Sequence, residues 1–470
     1  MLRRALLVFW MAQAAAQTPC TGGFAGNYAC SNLDLQSLVT FSQMGGNSNT
    51  EGSSCWGWTD PLTGREYALM GCSTHLAFVD ITDPVNPIYR GKMNGTGNST
   101  SSWREVKTYG NYCYVTSEAA GHGLQIFDLT RLRNPTGPLP LAPDALYTGF
   151  GNCHTLIINE ETGYLYAMGS NTFGGGPHIL DLSNPVAPVL AGGYNAQGYT
   201  HDGQVVTYHG PDAEHFGKEI FIGANQNRVV IVDMTNKAAP QLLSTFMYPN
   251  TAYTHQGWFT EDHRYWLLGD EIDEIDFGFN SKTLILDFAD LDNPVLVANY
   301  FGPTAAVDHN GFVLGDEFFL SNYTAGLRIL STEQVGAGTL TEVGYFDTYP
   351  ENNNAVFNGA WSNYPYFPSG SIIISDIDRG LFVVRKSGAL STNDLTKTNF
   401  TLAPNPTSTE VLISSPVAIE TIEVVDMLGK KVLSVRTGGL NEHTLNVDAL
   451  SPGVYFVTLN QSQVNKLIVR

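Results

Sequence analysis

A short apolar run that ends in a polar residue recurs along most of the chain. Its last residue returns every 44 to 54 positions, from Asp80 to Arg385, which is the period of a repeated structural unit. A run of four or five apolar residues followed by a proline-containing turn indicates a buried β-strand, because proline fixes φ and donates no hydrogen bond. The seven runs are residues 76–80, 124–128, 177–181, 229–233, 284–287, 327–331 and 381–385.

Each run has a hairpin before it and one more short strand after it, so a unit contains four strands. In the third copy the hairpin strands are residues 154–159 and 164–169. Four-stranded units of this length, repeated seven times, are typical of a β-propeller. The last copy has only three strands of its own. We expect residues 36–41 to supply the fourth, because an open ring leaves an unpaired edge.

The composition and the strand pattern of the sequence change near residue 400. Residues 387–400 are rich in Ser, Thr, Asn and Lys and predict a linker. Compact alternating strands separated by glycine-containing turns, such as Leu428-Gly429, then predict a small β-sandwich over residues 401–470. The predicted fold is therefore all-β: a seven-bladed propeller over residues 35–386, closed by an N-terminal strand, and a C-terminal sandwich.

Composition and the N-terminus indicate an exported protein. Only 14% of residues are charged, and the formal net charge is −20 with no visible basic patch, which argues against a nucleic-acid partner. Arg3-Arg4, an apolar stretch and Ala14-Ala15-Ala16 predict a signal peptide over residues 1–16, followed by an N-terminal segment over residues 17–34. No later stretch is apolar for long enough to predict a transmembrane segment in the mature chain.

Six cysteines in an exported chain favour disulfides. Cys20 and Cys30 can close a short loop. Cys55 and Cys72 lie almost symmetrically about a predicted turn and are the best candidates for a cross-strand pair. Cys113 and Cys153 remain as a third pair by elimination.

Four histidines occupy equivalent places in four consecutive units, just ahead of or within the first strand: His154, His201, His255 and His309. First strands start, and second strands end, on one face of a propeller near its axis. These histidines should therefore meet at one mouth of the channel, together with Arg104, Glu105, Glu118, Asp202, Asp270 and Glu271. Neutral imidazole is a good ligand for divalent metals, so this mouth is a candidate metal or ligand site.

A structural interpretation of the histidines stays open beside the functional one. Repeats share residues because they share structure, so each histidine could bond a neighbouring backbone group and tie two blades together. The acidic segment 270–276 lacks the spacing and central glycine of an EF-hand, and we expect it to be a solvated loop. The aspartates that end the apolar runs are expected to accept backbone hydrogen bonds in the following turn.

Enzyme signatures are mostly missing. The sequence contains no Gly-x-Ser-x-Gly, His-Glu-x-x-His, P-loop or Gly-x-Gly-x-x-Gly motif. The leading hypothesis is a binding module whose polar mouth recognises a small molecule, a glycan or a protein. The alternative is a metal-dependent hydrolase or lyase at the same mouth, with Glu105, Asp202 or Glu271 as general base.

The last seventy residues resemble the C-terminal sorting domain of type IX secretion substrates in Bacteroidetes-type bacteria. The resemblance rests on Pro404-Asn405-Pro406, Asp426-Met427-Leu428-Gly429-Lys430, Leu450-Ser451-Pro452-Gly453-Val454-Tyr455 and Lys466-Leu467-Ile468-Val469-Arg470. It implies that residues 401–470 engage the type IX machinery, which carries the chain to the cell surface or the medium. Such domains are often removed after export.

The ring resembles the choice-of-anchor B, or LVIVD-repeat, family. The resemblance rests on segments such as Trp103-Arg104-Glu105-Val106, Tyr199-Thr200-His201-Asp202 and Tyr253-Thr254-His255-Gln256-Gly257-Trp258. It covers most of residues 50–385 and implies an exported, propeller-like protein without a settled activity.

Deletion of residues 401–470 is expected to leave the chain in the periplasm, because the signal peptide acts only at the inner membrane. Fractionation and protease accessibility of intact cells measure this, with the full chain as the control. Undiminished surface delivery of the shortened chain would refute the sorting assignment.

Overall fold

The structure, a computed structural model, describes residues 17–134, 141–388, 400–415, 418–426, 431–460 and 463–470. The predicted signal peptide at residues 1–16, residues 389–399 of the predicted linker, and the predicted turn at Leu428-Gly429 lie outside these ranges. The described residues form two compact units that meet in sequence at residues 387 and 388. Each unit is described by itself.

The first unit is a seven-bladed β-propeller, as predicted. Three N-terminal strands, β1 (Phe24–Ala25), β2 (Tyr28–Ser31) and β3 (Leu33–Val39), precede the blades. Each blade is one antiparallel sheet in the described residues, and the first three blades contain β4 (Gly52–Thr59), β5 (Glu66–Cys72), β6 (His75–Asp80) and β7 (Ile88–Asn94); β8 (Arg104–Tyr109), β9 (Tyr112–Ser117), β10 (Leu124–Asp128) and β11 (Ala145–Tyr147); and β12 (Thr155–Asn159), β13 (Tyr164–Met168), β14 (His178–Asp181) and β15 (Val189–Gly193). The fourth, fifth and sixth blades contain β16 (Asp202–Thr207), β17 (Glu219–Ala224), β18 (Val229–Asp233) and β19 (Gln241–Phe246); β20 (Thr254–Phe259), β21 (Tyr265–Asp270), β22 (Lys282–Asp287) and β23 (Val295–Phe301); and β24 (Gly311–Leu314), β25 (Glu317–Ser321), β26 (Leu327–Ser331) and β27 (Thr341–Phe346). The seventh blade contributes β28 (Ala360–Tyr364), β29 (Ile372–Asp376) and β30 (Gly380–Lys386).

Helical structure in the described residues is brief. One α-helix, α1 (Asp273–Phe277), follows β21. The short 3-10 helices are Phe41–Met44, Thr96–Asn98, Leu129–Arg133, Phe173–Gly175 and Val335–Ala337.

The repeated apolar runs form the third strand of each blade, and their burial explains their composition. Both faces of a blade pack against its neighbours, so these strands carry apolar residues on both faces; Leu284, Ile285 and Leu286 are at most 1% exposed. The aspartate at the end of the run stabilises the turn that follows it. Asp181 accepts a hydrogen bond from the Ser183 amide at 2.7 Å, and Asp233 accepts one from the Thr235 amide at 2.9 Å, as expected.

The first strands of the blades form a closed circle around the channel. Each packs against the first strand of the next blade, from β4 through β8, β12, β16, β20, β24 and β28 back to β4. Because they all run in the same direction through the channel, their starts share one mouth and their ends share the other.

Strand β3 closes the ring by pairing antiparallel with β30, which confirms the predicted closure. Leu35 lies opposite Val384 and Leu38 opposite Phe382, and the register shifts between Leu35 and Ser37. The third and fourth strands of most other blades contain the same kind of shift, so β3 reproduces an ordinary fourth strand. The strand begins at Leu33, earlier than residue 36, because Leu33 is itself fully buried in the core of this unit.

Strands β1 and β2, which the sequence pattern did not predict, extend the sixth blade. Cys30 in β2 lies opposite Phe346 of β27. The predicted disulfide between Cys20 and Cys30 is present, with the two Cα atoms 6.0 Å apart. It ties the start of the described chain to this extension.

The predicted pairing of Cys55 with Cys72 is wrong, and so is that of Cys113 with Cys153; all four are buried free thiols. Cys55 lies opposite Met70, while Cys72 lies opposite Gly52, so the two cysteines are diagonal neighbours. Diagonal Cα atoms in a sheet are about 7–8 Å apart, which exceeds the span of a disulfide. Cys113 lies within β9 opposite Phe127, whereas Cys153 precedes β12 and its thiol donates to the Thr155 carbonyl oxygen at 3.1 Å.

The second unit is the predicted β-sandwich. Its strands are β31 (Thr401–Ala403), β32 (Glu410–Ser414), β33 (Thr421–Asp426), β34 (Lys431–Arg436), β35 (Glu442–Asn446), β36 (Gly453–Leu459) and β37 (Gln463–Val469). One sheet has the order β31-β32-β35 and the other the order β34-β33-β36-β37. Val411, Ile422 and Val457 belong to the buried core of this unit.

Substituting Leu33→Ala is expected to lower the free energy of unfolding of the propeller by about 2–5 kcal/mol, because it leaves a cavity beside the closing strand. Denaturation followed by tryptophan fluorescence measures the propeller selectively, since the sequence contains no tryptophan after Trp361. Leu62→Ala is the control, because Leu62 is 74% exposed. Equal effects of the two substitutions would contradict the role of β3 in stability.

His75 predicts a pH dependence of stability. Its Nε2 lies 3.0 Å from the Met44 carbonyl oxygen, and burial lowers its pKa to about 4. Since the unfolded imidazole takes up a proton below about pH 6.5 and the folded one does not, stability is lost as the pH falls towards 4. We expect His75→Gln to remove about 2 kcal/mol of the stability difference between pH 7 and pH 5.

Denaturation at the two pH values measures this difference, and the exposed His209, replaced in His209→Gln, is the control. An unchanged difference in His75→Gln would show that the protonation of His75 does not contribute.

Candidate functional site

Four histidines meet at the mouth of the channel where the first strands begin. His154 and His201 directly precede β12 and β16, His255 is the second residue of β20, and His309 lies two residues before β24. These four strands are consecutive in the circle of first strands, so equivalent positions on them are neighbours.

The imidazole rings form a continuous row. Ring centroids are 4.0 Å apart for His154 and His201, 4.6 Å for His201 and His255, and 4.4 Å for His255 and His309. The Nε2 atoms of His154 and His201 are 3.1 Å apart. We call these four residues the histidine row.

Neighbouring acceptors fix the tautomers at both ends of the histidine row. Nδ1 of His309 lies 2.5 Å from the Trp361 carbonyl oxygen, which can only accept, so this nitrogen carries the proton. Nδ1 of His154 lies 2.6 Å from Oε1 of Glu118 and donates to that carboxylate. Nε2 of a neutral imidazole then presents a lone pair, and burial lowers the pKa of His309 to about 3, so that ring is neutral at pH 7.

The two middle rings are neutral for the same reason. Burial lowers the pKa of His201 and of His255 well below the usual value, and the neighbouring histidines lower it further. Nδ1 of His255 is buried and has no hydrogen-bond partner among the described residues. The middle of the row therefore has unused capacity to bind a proton or a metal ion.

Glu271 lies across the histidine row at the end of β21. Its Oε2 is 3.6 Å from Nε2 of His255, and its Oε1 is 3.5 Å from Nε2 of His309. The Tyr323 hydroxyl donates to Oε1 at 2.7 Å, while burial raises the pKa of Glu271 to about 7. An ionised carboxylate beside an imidazole lone pair is favourable only with a proton or a cation between them.

Within the histidine row and its neighbours, one set of donor atoms is close enough for a single ion. His201, His255 and Glu271 each offer one atom, and these atoms all lie within 4.8 Å of one another. Two imidazole nitrogens and a carboxylate oxygen are a ligand set that zinc and other transition metals accept.

Tyr253, which was not among the predicted site residues, contacts the histidine row. The Tyr253 hydroxyl is 2.9 Å from Nδ1 of His201, and Asp270 holds the Tyr253 segment by accepting its amide hydrogen bond at 2.5 Å. Asp270 is fully buried and so positions a neighbour of the row instead of facing the mouth. The sequence did contain a pattern that could have indicated this tyrosine, because Tyr-Thr-His occurs at both His201 and His255.

The other predicted site residues are divided between the channel and the blade interior. Arg104 is buried: its guanidinium lies 2.8 Å from Nε2 of His122 and donates to the Cys72 carbonyl oxygen at 3.0 Å, and the residue also lines the small cavity beside the histidine row. Glu105 lies in the channel, where it accepts from Ser54 at 2.9 Å and from Lys107 at 2.6 Å. Burial raises the pKa of Asp202 to about 7.

A small cavity lies beside the histidine row. Its volume is about 20 Å³, and its lining includes Glu105, His154, Asp202, His255 and His309. This volume suits one water molecule or one ion and excludes an organic molecule.

The predicted solvated loop at residues 270–276 is wrong. Helix α1 folds this segment inward, and Asp273 and Glu274 are at most 3% exposed. Asp273 pairs with Lys282, and Glu274 accepts a hydrogen bond from the Asp308 amide at 3.3 Å. Burial raises the pKa of Glu274, so its carboxyl is protonated more readily than a surface carboxyl.

Two family matches identify parts of the chain. Residues 172–196 and 217–248 match the LVIVD repeat, and residues 401–470 match the secretion system C-terminal sorting domain. The chain contains LVIVD repeats and a secretion sorting domain. The two matched repeat segments include strands of the third and fourth blades, and the sorting domain coincides with the β-sandwich.

The sorting domain gives the destination of this LVIVD-repeat chain. It marks export by type IX secretion to the cell surface or the extracellular space, and it interacts with that machinery. No helix among the described residues is long and apolar enough to span a membrane.

Three solved structures illustrate what the chain is similar to. The β-propeller domain of Cps50 (Swd1) from Myceliophteria thermophila has a TM-score of 0.45 and 10% identity, covering 72% of this chain and 99% of that one. PorZ, a surface component of the type IX secretion system of Porphyromonas gingivalis, has a TM-score of 0.46 and 13% identity, covering 89% of this chain and 59% of that one. The C-terminal WD40 domain of Sif2 has a TM-score of 0.46 and 8% identity, covering 75% of this chain and 98% of that one. No curated protein sequence matches the chain.

Proposed function

We propose that this exported propeller is a binding module that holds a divalent transition metal at its channel mouth, on His201, His255 and Glu271. The observation that carries the proposal is the closeness of three donor atoms, two from buried histidines and one from the half-buried Glu271, all within 4.8 Å of one another. Buried donors of this kind cost free energy unless a proton or a cation satisfies them.

The surroundings of the histidine row resemble the outer shell of a metal site. Metal-binding histidines usually donate their other ring nitrogen to a carboxylate or a backbone carbonyl, which fixes the ring and raises its basicity. His154 and His309 are held in this way by Glu118 and by the Trp361 carbonyl oxygen. They flank the proposed ligands and extend the set of nitrogen donors on either side.

The structural interpretation of the row accounts for only part of the geometry. If the histidines served to tie blades together, each would bond a neighbouring backbone group. Among the contacts of the four rings, the His309 bond to Trp361 is of this kind, whereas His154 and His201 bond side chains.

The size of the mouth favours binding over catalysis. A hydrolase or lyase must bring a substrate bond to the metal, but the cavity beside the row has room for about one water molecule. Glu105, a predicted general base, is already engaged by Lys107 and Ser54. A single donor group from a small molecule, a glycan or a protein, presented at the open position of the metal, fits this geometry better than an enclosed substrate.

Purified full-length protein, dialysed against Zn²⁺ and then against buffer, is expected to retain about one metal ion per chain. The double variant His201→Ala/His255→Ala is expected to lose it, because two of three ligands are removed. Elemental analysis measures the metal, and circular dichroism shows that the variant is folded. His209→Ala, at an exposed histidine outside the row, is the control. Metal-free wild-type protein, or full metal content in the double variant, would contradict the proposal.

A further inference from the structure

The opposite mouth of the channel contains a second and much larger cavity. It measures about 580 Å³ and lies where the first strands end, lined by Trp56, Ile157, Trp258, Val313 and Tyr364. Since the histidine row lies at the starts of the same strands, the two sites occupy opposite ends of the channel. We call this second cavity the aromatic chamber.

Aromatic rings form part of the wall of the aromatic chamber. Trp56 lies 5.0 Å from Tyr364 and 6.2 Å from Tyr366, measured between ring centroids. Phe312 does not line the chamber, but it packs against two residues that do, Trp56 at 5.5 Å and Trp258 at 5.0 Å. The planes meet at 50° to 74°, so the rings present faces in several directions. Such a wall can surround a compact group instead of stacking on a flat one.

One ammonium group already contacts this wall. Nζ of Lys107 lies 4.3 Å from the centroid of Trp56, within the range of a cation–π interaction. Its charge is neutralised inside the protein, because it donates to Glu105 at 2.6 Å. Lys107 therefore adds no net positive charge to the chamber.

The entrance carries negative charge without a matching cation in the lining. Glu160, Glu161 and Glu261 lie in turns between first and second strands and line the chamber. Glu261 accepts a hydrogen bond from the Gly315 amide, and Glu161 lies 3.5 Å from the exposed imidazole of His209. Burial lowers the pKa of His263, which also lines the chamber, so this imidazole does not supply a compensating charge at pH 7.

We propose that the aromatic chamber binds an organic cation that carries an ammonium group. Aromatic faces attract such a cation through their quadrupoles, and the three carboxylates attract it from solution. The volume is within the range of about 300–1,000 Å³ found for small-molecule sites. A neutral sugar could stack on the same rings, but it would leave the carboxylate charge unused.

Choline and 3,3-dimethylbutan-1-ol, its neutral isostere, separate charge recognition from apolar binding. With the full-length protein, isothermal titration calorimetry is expected to show choline binding at least about tenfold more tightly than the isostere. Phosphocholine is expected to bind more weakly than choline, because its phosphate meets the carboxylates; equal or tighter binding of phosphocholine would instead indicate a lipid headgroup as the ligand and overturn the carboxylate argument.

Two variants locate the binding. Trp258→Leu is expected to weaken choline binding by removing an aromatic face, and Glu160→Gln/Glu161→Gln by removing charge at the entrance. Matched controls outside the chamber are Phe216→Leu and Glu214→Gln, both at exposed positions, which should leave the affinity unchanged. Thermal denaturation confirms that each variant is folded.

Three further results would overturn the proposal: equal affinity for choline and its isostere, no heat of binding with either probe, or stronger binding of the neutral sugar methyl glucoside. The test is independent of the histidine row, since His201→Ala/His255→Ala is expected to bind choline as the wild type does.

Discussion

The hydrogen bonding between β3 and β30 is the constraint on which the rest of the propeller depends. A blade sheet buries both faces only when it has a neighbour on each side, and the first and last blades become neighbours only when the ring closes. Here the closing strand comes from the N-terminus, while its partner lies almost at the end of the propeller. Extension of the sixth blade by β2, and the Cys20–Cys30 disulfide, hold the same N-terminal region in place.

Closure of the ring also creates the histidine row. Four blades place a histidine at or near the start of the first strand, and the circular packing of those strands brings neighbouring rings to centroid distances of 4.0 to 4.6 Å. Repetition alone would account for the recurrence of the residue. It does not account for a carboxylate placed across the row, or for the Trp361 carbonyl oxygen that fixes the His309 tautomer so that its Nε2 lone pair is on the side of Glu271. These features set the metal proposal apart from a purely structural role.

The same strands produce two chemically different mouths. Their starts are polar and tightly packed, and the cavity there has room for an ion or a water molecule. Their ends carry large aromatic side chains around a wide space, with carboxylates in the adjoining turns. Lys107 and Glu105 pair inside the channel, which keeps charge balanced where water is scarce.

The sequence by itself determined the all-β class, the seven blades, the closing strand, the export domain and the face on which the histidines meet. These follow from local patterns: buried runs at a regular period, turn residues, and equivalent positions in repeats. The tertiary structure decided which side chains contact. Register made Cys55 and Cys72 diagonal rather than opposite, and packing turned Arg104 towards His122 and buried Asp273 and Glu274. Only the tertiary structure showed the aromatic chamber, because Trp56, Trp258 and Tyr364 are distant in sequence. Within its own strand, each of them has the pattern of an ordinary core residue. Contacts between blades arise from the closed ring, and no single repeat contains that information.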